Sequence, residues 1–282
     1  MQPVGPLRVA ATEIVLQVVL MGHEENGHAS GHDRRTTTVA VMTGHRIVAG
    51  SDARLRIATW RGDPGTAHLS PGRSRPTRAA VDVALQVLAG GTYRAAFTTA
   101  LAPIEQRPFI DAGFVVHERL HLLVRSLDAL PQPASAPIDL RRGHRGDHQH
   151  VLDVDAAAFP AFWQLDDPGL QDALAATPTS RLRLAIGRDP HSPISGYAIT
   201  GRAGPRGYLQ RLAVDPSAQG AGIGSVLVLD GLRWLRRWGA HEVLVNTQEG
   251  NTAAVRLYER LGFRLQPNGL AVLHRAVDRP VS

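Results

Sequence analysis

The sequence predicts an α/β fold divided into two related halves. Three observations carry this. Runs of β-branched and apolar residues alternate with segments whose apolar residues recur at helical spacing. A glycine-rich turn, LAVDPSAQGAGIGS at residues 212–225, joins one such run to a long helical segment. Finally, GGTYRAAFTTA followed by IEQRPFIDAGFVV is echoed by WGAHEVLVNTQ followed by TAAVRLYERLGFRL, each in the order strand, short helix, Gly-Phe, strand.

Residues 1–34 end in MGHEENGHASGHD, which has no apolar period and reads as a loose tail. His23, His28 and His32 lack a carboxylate or thiolate framework at ligand spacing, so no metal site is expected. The stretch Ala10 to Met21 is apolar but too short to cross a bilayer, and it lacks the basic flank of a signal peptide. A cytoplasmic protein with no membrane association is expected.

From residue 35, TTVAVMTGHRIVAG and ARLRIATW read as strands. PTRAAVDVALQVLAGG is a helix with Val81, Ala84, Leu85 and Leu88 on one face, stopped by Gly90-Gly91. YRAAFTTAL is a strand, and IEQRPFIDAGF a short helix closed by Gly113. The prolines of PQPASAP, residues 131–137, interrupt any element, so this segment is read as a linker between a domain at 35–130 and another at 138–282. Beyond it come a strand IDLRR, a helix GDHQHVLDVDAAAF, an irregular stretch around Phe162 and Trp163, and a helix DPGLQDALAAT. Strands RLRLAIG, ISGYAITGR and GYLQRLAVD precede a long helix from about Ala221 to Trp238. The strand HEVLVNT, the helix TAAVRLYERLG and the strand LAVLHRAV complete the chain.

Composition narrows the function. Of 282 residues, 43% are hydrophobic and 20% charged, enough to bury a core. Cysteine is absent, which removes disulfides, thiolate metal sites and cysteine nucleophiles. Lysine is also absent, so the 31 basic side chains behind the +6 net charge are all arginines. No basic run is long enough, or interleaved with enough aromatics, to predict a nucleic-acid partner.

The turn at 212–225 carries the chemistry. A strand passes Asp215-Pro216 into a loop that opens a helix, where exposed N–H groups and the helix dipole make an anion site. Gly220, Gly222 and Gly224 let a phosphate approach the backbone, and each hydrogen bond to it is worth about 1.5–3 kcal/mol. Gly224 also suits close helix packing alone. A Walker loop requires a lysine this chain does not contain, and a dinucleotide fingerprint requires a glycine where Ser225 stands.

The combination of strand LQRLAVDP, loop QGAGIG, helix, strand LVNTQ and NTAAVRLYERLGF resembles the GNAT superfamily of acyl-CoA N-acyltransferases over about half the chain. The resemblance implies a mixed, splayed central sheet flanked by helices, in two tandem copies with a degenerate N-terminal one. It also implies acetyl-CoA as acyl donor, its pyrophosphate held by Gln219, Gly222 and Gly224, with Gly220, Ala221, Ile223 and Ser225 in the same turn. Backbone beside Leu212, Ala213 and Val214 would pair with the pantetheine arm and the thioester carbonyl. Asn251 matches a pantetheine-contacting asparagine and also suits a helix N-cap. Tyr258 matches the general acid that protonates the CoA thiolate. Phe159, Phe162 and Trp163, with Asp155, would shape the acceptor pocket.

The sequence departs from the family where a glutamate often serves as base: those positions hold Gln210 and Asn246, and amides take no proton at neutral pH. With Gln248 they form a polar floor or sit as ordinary sheet residues, and Glu249 is the nearest carboxylate in sequence. The expected reaction is direct attack by a primary amine of a small molecule, an amino sugar or a protein N-terminus. The alternative is a CoA-binding regulatory or interaction module. The N-terminal half offers only PGRSRPTR in place of a phosphate loop and is not expected to bind CoA.

Overall fold

The computed structural model describes residues 38–42, 45–49, 54–61, 63–72, 74–132, 136–188 and 192–277. The tail at 1–34, its histidines and its apolar stretch lie outside the described residues. The first half contains β1 (Thr38–Met42), β2 (His45–Ala49), β3 (Arg54–Trp60), β4 (Asp63–Pro71), α1 (Arg78–Ala89), β5 (Ala95–Thr98), α2 (Pro103–Asp111) and β6 (Val115–Ser126). The second contains β7 (Ile138–Arg142), α3 (His148–Ala158), α4 (Asp167–Ala175), β8 (Thr179–Gly187), β9 (Ile194–Ala203), β10 (Arg206–Val214), α5 (Ile223–Arg237), β11 (Glu242–Gln248), α6 (Thr252–Arg260), β12 (Arg264–Leu265) and β13 (Leu270–Ala276).

These elements form two compact units, dividing at His117/Glu118 and again at Leu270/Ala271. Of the expected linker 131–137, residues 133–135 lie outside the described residues, and those on either side belong to the second unit. In the first, strands lie in the order β1-β2-β3-β4-β5-β13; all neighbours are antiparallel except β4 and β5. In the second, the order is β7-β8-β9-β10-β11-β6, antiparallel except for β10 and β11, with β12 on β6. The two orders are the same, so both units share one strand topology. Each unit takes its last strand from the other half of the sequence: β6 follows α2 yet pairs with β11, and β13 ends the chain yet pairs with β5.

The units differ where binding would occur. The parallel pair β4–β5 holds register from Thr66↔Ala95 to Leu69↔Thr98, the whole length of β5, so no gap opens between them. Thr77 caps α1 with its own hydroxyl, which accepts from the Ala80 N–H. Among the described residues, no helix precedes α1 in the first unit, where the second unit carries α3 and α4 between β7 and β8. β4, DPGTAHLSP, is a strand although Asp-Pro-Gly and a terminal proline signal turns in its sequence. Its prolines stand near the two ends, which leaves the buried middle free to pair. Among the described residues, no helix is long and apolar enough to cross a membrane.

The core of the second unit has two parts. α5 buries Ile223, Leu227, Val228, Leu232 and Leu235 against one sheet face, with Leu209, Val243 and Val245. α3 and α4 bury Val151, Val154 and Leu170 against the other, with Leu184, Tyr197, Ile199 and Ala213.

Candidate active site

β10 and β11 start as neighbours and then part. They pair at Arg206↔Glu242, Gly207↔Val243 and Tyr208↔Leu244 and make no further rungs, although β10 runs on to Val214 and β11 to Gln248. A bulge at Gln210 accompanies the parting: against β9, Leu209 matches Thr200 but Arg211 matches Ile199. The extra residue reverses the alternation, so Leu209 joins the core under α5 while Arg211 and Ala213 turn toward α3. Beyond Tyr208 the facing edges of both strands lack a strand partner. A cleft of about 550 Å³ opens there, within the usual range for ligand sites.

One end of the cleft is the glycine turn. Asp215 accepts from the N–H and hydroxyl of Ser217 at 2.9 and 2.5 Å, which fixes the 3₁₀ turn Pro216–Ala218 and holds the Asp215 carboxyl below its ordinary pKa. The Gln219 side chain donates to the Val214 carbonyl at 3.2 Å, folding the loop back on the strand end. Gly220 and Gly222 have φ of 82° and 81°, the left-handed region that favours glycine. The first helical bond of α5 runs from Val226 N–H to Gly222 C=O, so the N–H groups of Ile223, Gly224 and Ser225 have no intrahelical partner. No acidic residue stands in that first turn. Gly224 has a packing role: a Cβ there would lie 3.2 Å from Leu257 of α6.

α6 forms one wall. Asn251 caps it by accepting from Ala254 N–H at 3.1 Å, and also lines the cleft. Tyr258 lines the cleft with 5% of its surface exposed, its ring 5.5 Å from that of Phe263. Burial raises the phenol pKa above its ordinary value, so Tyr258 keeps its proton at neutral pH.

The opposite wall rests on a buried charge. Asp155 is fully buried and accepts from Arg211 Nε and Nη2 at 2.8 Å each, Tyr197 Oη at 2.5 Å and Leu165 N–H at 2.7 Å. Arg211 donates also to the Trp163 carbonyl at 2.6 Å and sits 3.6 Å above the Phe159 ring. Phe159 and Trp163 line the cleft; Phe162 is not among its lining residues and packs edge-on to Trp163. Asp155 thus supports this wall from beneath. The Trp163 indole N–H donates to Glu118 at 2.6 Å, a carboxylate that sequence reasoning missed because β6 belongs to the other half of the chain. Arg211 was missed too, although an arginine inside the apolar run LQRLAV is a visible signal.

Gln210, Asn246 and Gln248 all line the cleft. Gln210 is 4% exposed, and neither amide atom of its side chain has a hydrogen-bond partner, an arrangement that costs about 1–3 kcal/mol unless something polar enters. Of the residues expected at the donor site, Leu212–Val214, Gln219, Gly220, Gly222–Ser225 and Asn251 line this one cleft; Ala221 belongs to the turn without lining it. No aspartate or glutamate is among the lining residues, and Glu249 is exposed outside it.

The acetyltransferase (GNAT) family model matches residues 149–263, the stretch that builds the cleft apart from Leu120. The mycothiol acetyltransferase of Salinispora arenicola is 33% identical over 213 residues, covering 67% of this chain and 63% of that protein. That of Thermobispora bispora is 49% identical over 63 residues, 22% of this chain and 21% of that one. The chain thus spans less than two thirds of the length of these curated relatives. Among solved structures, a tandem GNAT protein from the clavulanic acid biosynthesis pathway superposes with a TM-score of 0.62 at 13% identity, over 84% of this chain and 83% of that one, a likeness of fold alone. With an amide-lined glycine turn and a pair of strands that part at a bulge, residues 149–263 match the acetyltransferase (GNAT) family.

Proposed function

We propose that the second unit transfers an acetyl group from acetyl-CoA to a primary amine of a small molecule. The observation that carries this is the continuity of three parts in one cleft: the free amides at 223–225, the unpaired edges of β10 and β11, and the Tyr258 phenol. The amides suit a diphosphate. The strand edges suit the two amides of a pantetheine arm, which would add as a short pseudo-strand between them. The names of the relatives favour a small acceptor over a protein.

In the reaction the amine nitrogen bonds to the thioester carbon while the carbon–sulfur bond breaks. Main-chain N–H groups on the open edge of β10 near Val214 polarise the carbonyl oxygen. Tyr258 gives its proton to the departing thiolate, and the amine proton passes to solvent, because Gln210 and Asn246 cannot take it. The acceptor must therefore arrive neutral. An amine of pKa about 7.7–8.0 is neutral roughly a tenth of the time at pH 7, against well under a thousandth for one near 10.4.

The test is CoA release from acetyl-CoA by the full chain with a panel of amines graded in pKa. Release that is fastest with small amines of low pKa is the expected result; fastest release with lysine peptides would refute the acceptor class. A second reading, a CoA-binding module without turnover, draws on the absence of a lining carboxylate. Tight acetyl-CoA binding with no release across the panel would favour it.

A further inference from the structure

A second cavity, of about 700 Å³, lies in the second unit at the outer edge of its sheet, between β8, the segment after β7 and the end of α5. β9 separates β8 from β10, and the two cavities share no lining residue. Its walls include Arg142, Arg145, Arg181 and Arg183 together with Trp234 and Trp238.

The charges here are out of balance. Arg181 and Arg183 both turn to one carboxylate, Asp230, Arg183 at 3.1 Å. Arg142 and Arg145 are exposed, and among the described residues neither side chain is paired with a carboxylate. The nearby Asp147 is committed to Arg141 through two bonds of 2.9 and 2.7 Å. Arg181 Nε is buried without a hydrogen-bond partner. Burial and the charge of Arg183 lower the Arg181 pKa to about 10, as expected of a guanidinium short of negative charge. The carbonyls of Trp234, Leu235 and Arg236 at the end of α5, which would repel an anion, accept from Trp238, Ala240 and Gly239 N–H.

The aromatic side is as specific. Trp234 and Trp238 stand with ring centroids 6.4 Å apart, and the Arg181 guanidinium lies 5.4 Å from the Trp234 ring. Trp238 is 54% exposed, an expensive residue to leave in water unless its face is used.

We infer that this pocket binds a nucleotide, its phosphates on the Arg142, Arg145, Arg181 and Arg183 guanidinium groups and its base on the tryptophan face. Forked guanidinium groups match phosphate oxygens, and a planar base stacks on an indole regardless of its sequence identity. The site is separate from the acyl-donor cleft and independent of the acetyl-transfer reading.

The experiment titrates ADP and, separately, inorganic pyrophosphate into the full chain, first free and then saturated with CoA, read by calorimetry and tryptophan fluorescence. ADP is expected to bind and quench fluorescence. Arg142→Gln/Arg145→Gln, at exposed positions that leave the fold intact, should weaken both probes about tenfold or more. Trp238→Ala should weaken ADP about fivefold or more and leave pyrophosphate unchanged. No ADP binding to the folded chain with or without CoA, or equal affinity in the arginine variant, overturns the proposal. Equal loss of both probes, or of neither, in Trp238→Ala overturns the assignment of the base. Should CoA itself not bind, the reading of the cleft falls, while the arginine dependence of ADP affinity still decides this one.

Discussion

Removing the Asp155 carboxylate should cost the second unit more than any other single change near the cleft. In Asp155→Ala, Arg211, whose side chain is 6% exposed, keeps its charge but loses both carboxylate bonds. Tyr197 Oη and Leu165 N–H lose their acceptor in the same step. Breaking a buried pair by deleting one partner costs about 3–5 kcal/mol, and each buried donor left alone about 1–3 kcal/mol. Because these share one acceptor and do not add, we expect about 4 kcal/mol, a large part of the usual ~5–15 kcal/mol of a domain. With a urea slope of about 2 kcal/mol/M, the unfolding midpoint should fall by about 2 M. Tryptophan fluorescence reports it, since Trp163, Trp234 and Trp238 all lie in the second unit. Asp155→Leu with Arg211→Met removes both charges at similar volume and should recover part of the loss, leaving about 2 kcal/mol for the Tyr197 and Leu165 donors. A midpoint shift under about 0.5 M in the single variant, or a double variant less stable than the single, would show that the Asp155–Arg211 pair does not hold this wall.

Other outcomes follow from the same geometry. Gly222→Ala forces a side chain into φ of 81° and should cost about 1–2 kcal/mol in urea unfolding while weakening acetyl-CoA in a direct titration. Tyr258→Phe should lower the rate of CoA release about 10²-fold or more with the acetyl-CoA Kd unchanged, since the ring packing on Phe263 is retained. The Arg141 guanidinium beside Asp147 holds that carboxyl down at about 2. The pair's contribution is therefore complete above the ordinary carboxylate pKa and lost as pH falls through about 2. An acid titration of thermal stability should show this loss in the parent and not in Arg141→Met.

Much of this molecule was legible in its sequence. The apolar spacing of α1 and α5, the glycine stop after α1 and the strand GYLQRLAVD are local properties, and local propensity agrees with the fold there. The glycine turn was legible for the same reason: two left-handed residues and a helix start within seven positions leave few alternatives. What escaped depends on distant partners. β4 carries turn residues at its ends and is held as a strand by β3 and β5. The placement of β6 beside β11, and of β13 beside β5, follows from which apolar edges meet in three dimensions. Glu118 comes to Trp163 only through that exchange. The bulge at Gln210 has no residue signature of its own, yet it turns Arg211 toward Asp155 and accompanies the opening of the cleft.

The most direct measurement is the amide NMR spectrum of the full chain during titration with acetyl-CoA. The largest shifts should fall on Gly220 to Ser225, with smaller ones along Leu212 to Val214 and near Tyr258. A titration that left those amides unmoved, or moved those around β4 and β5 instead, would contradict it.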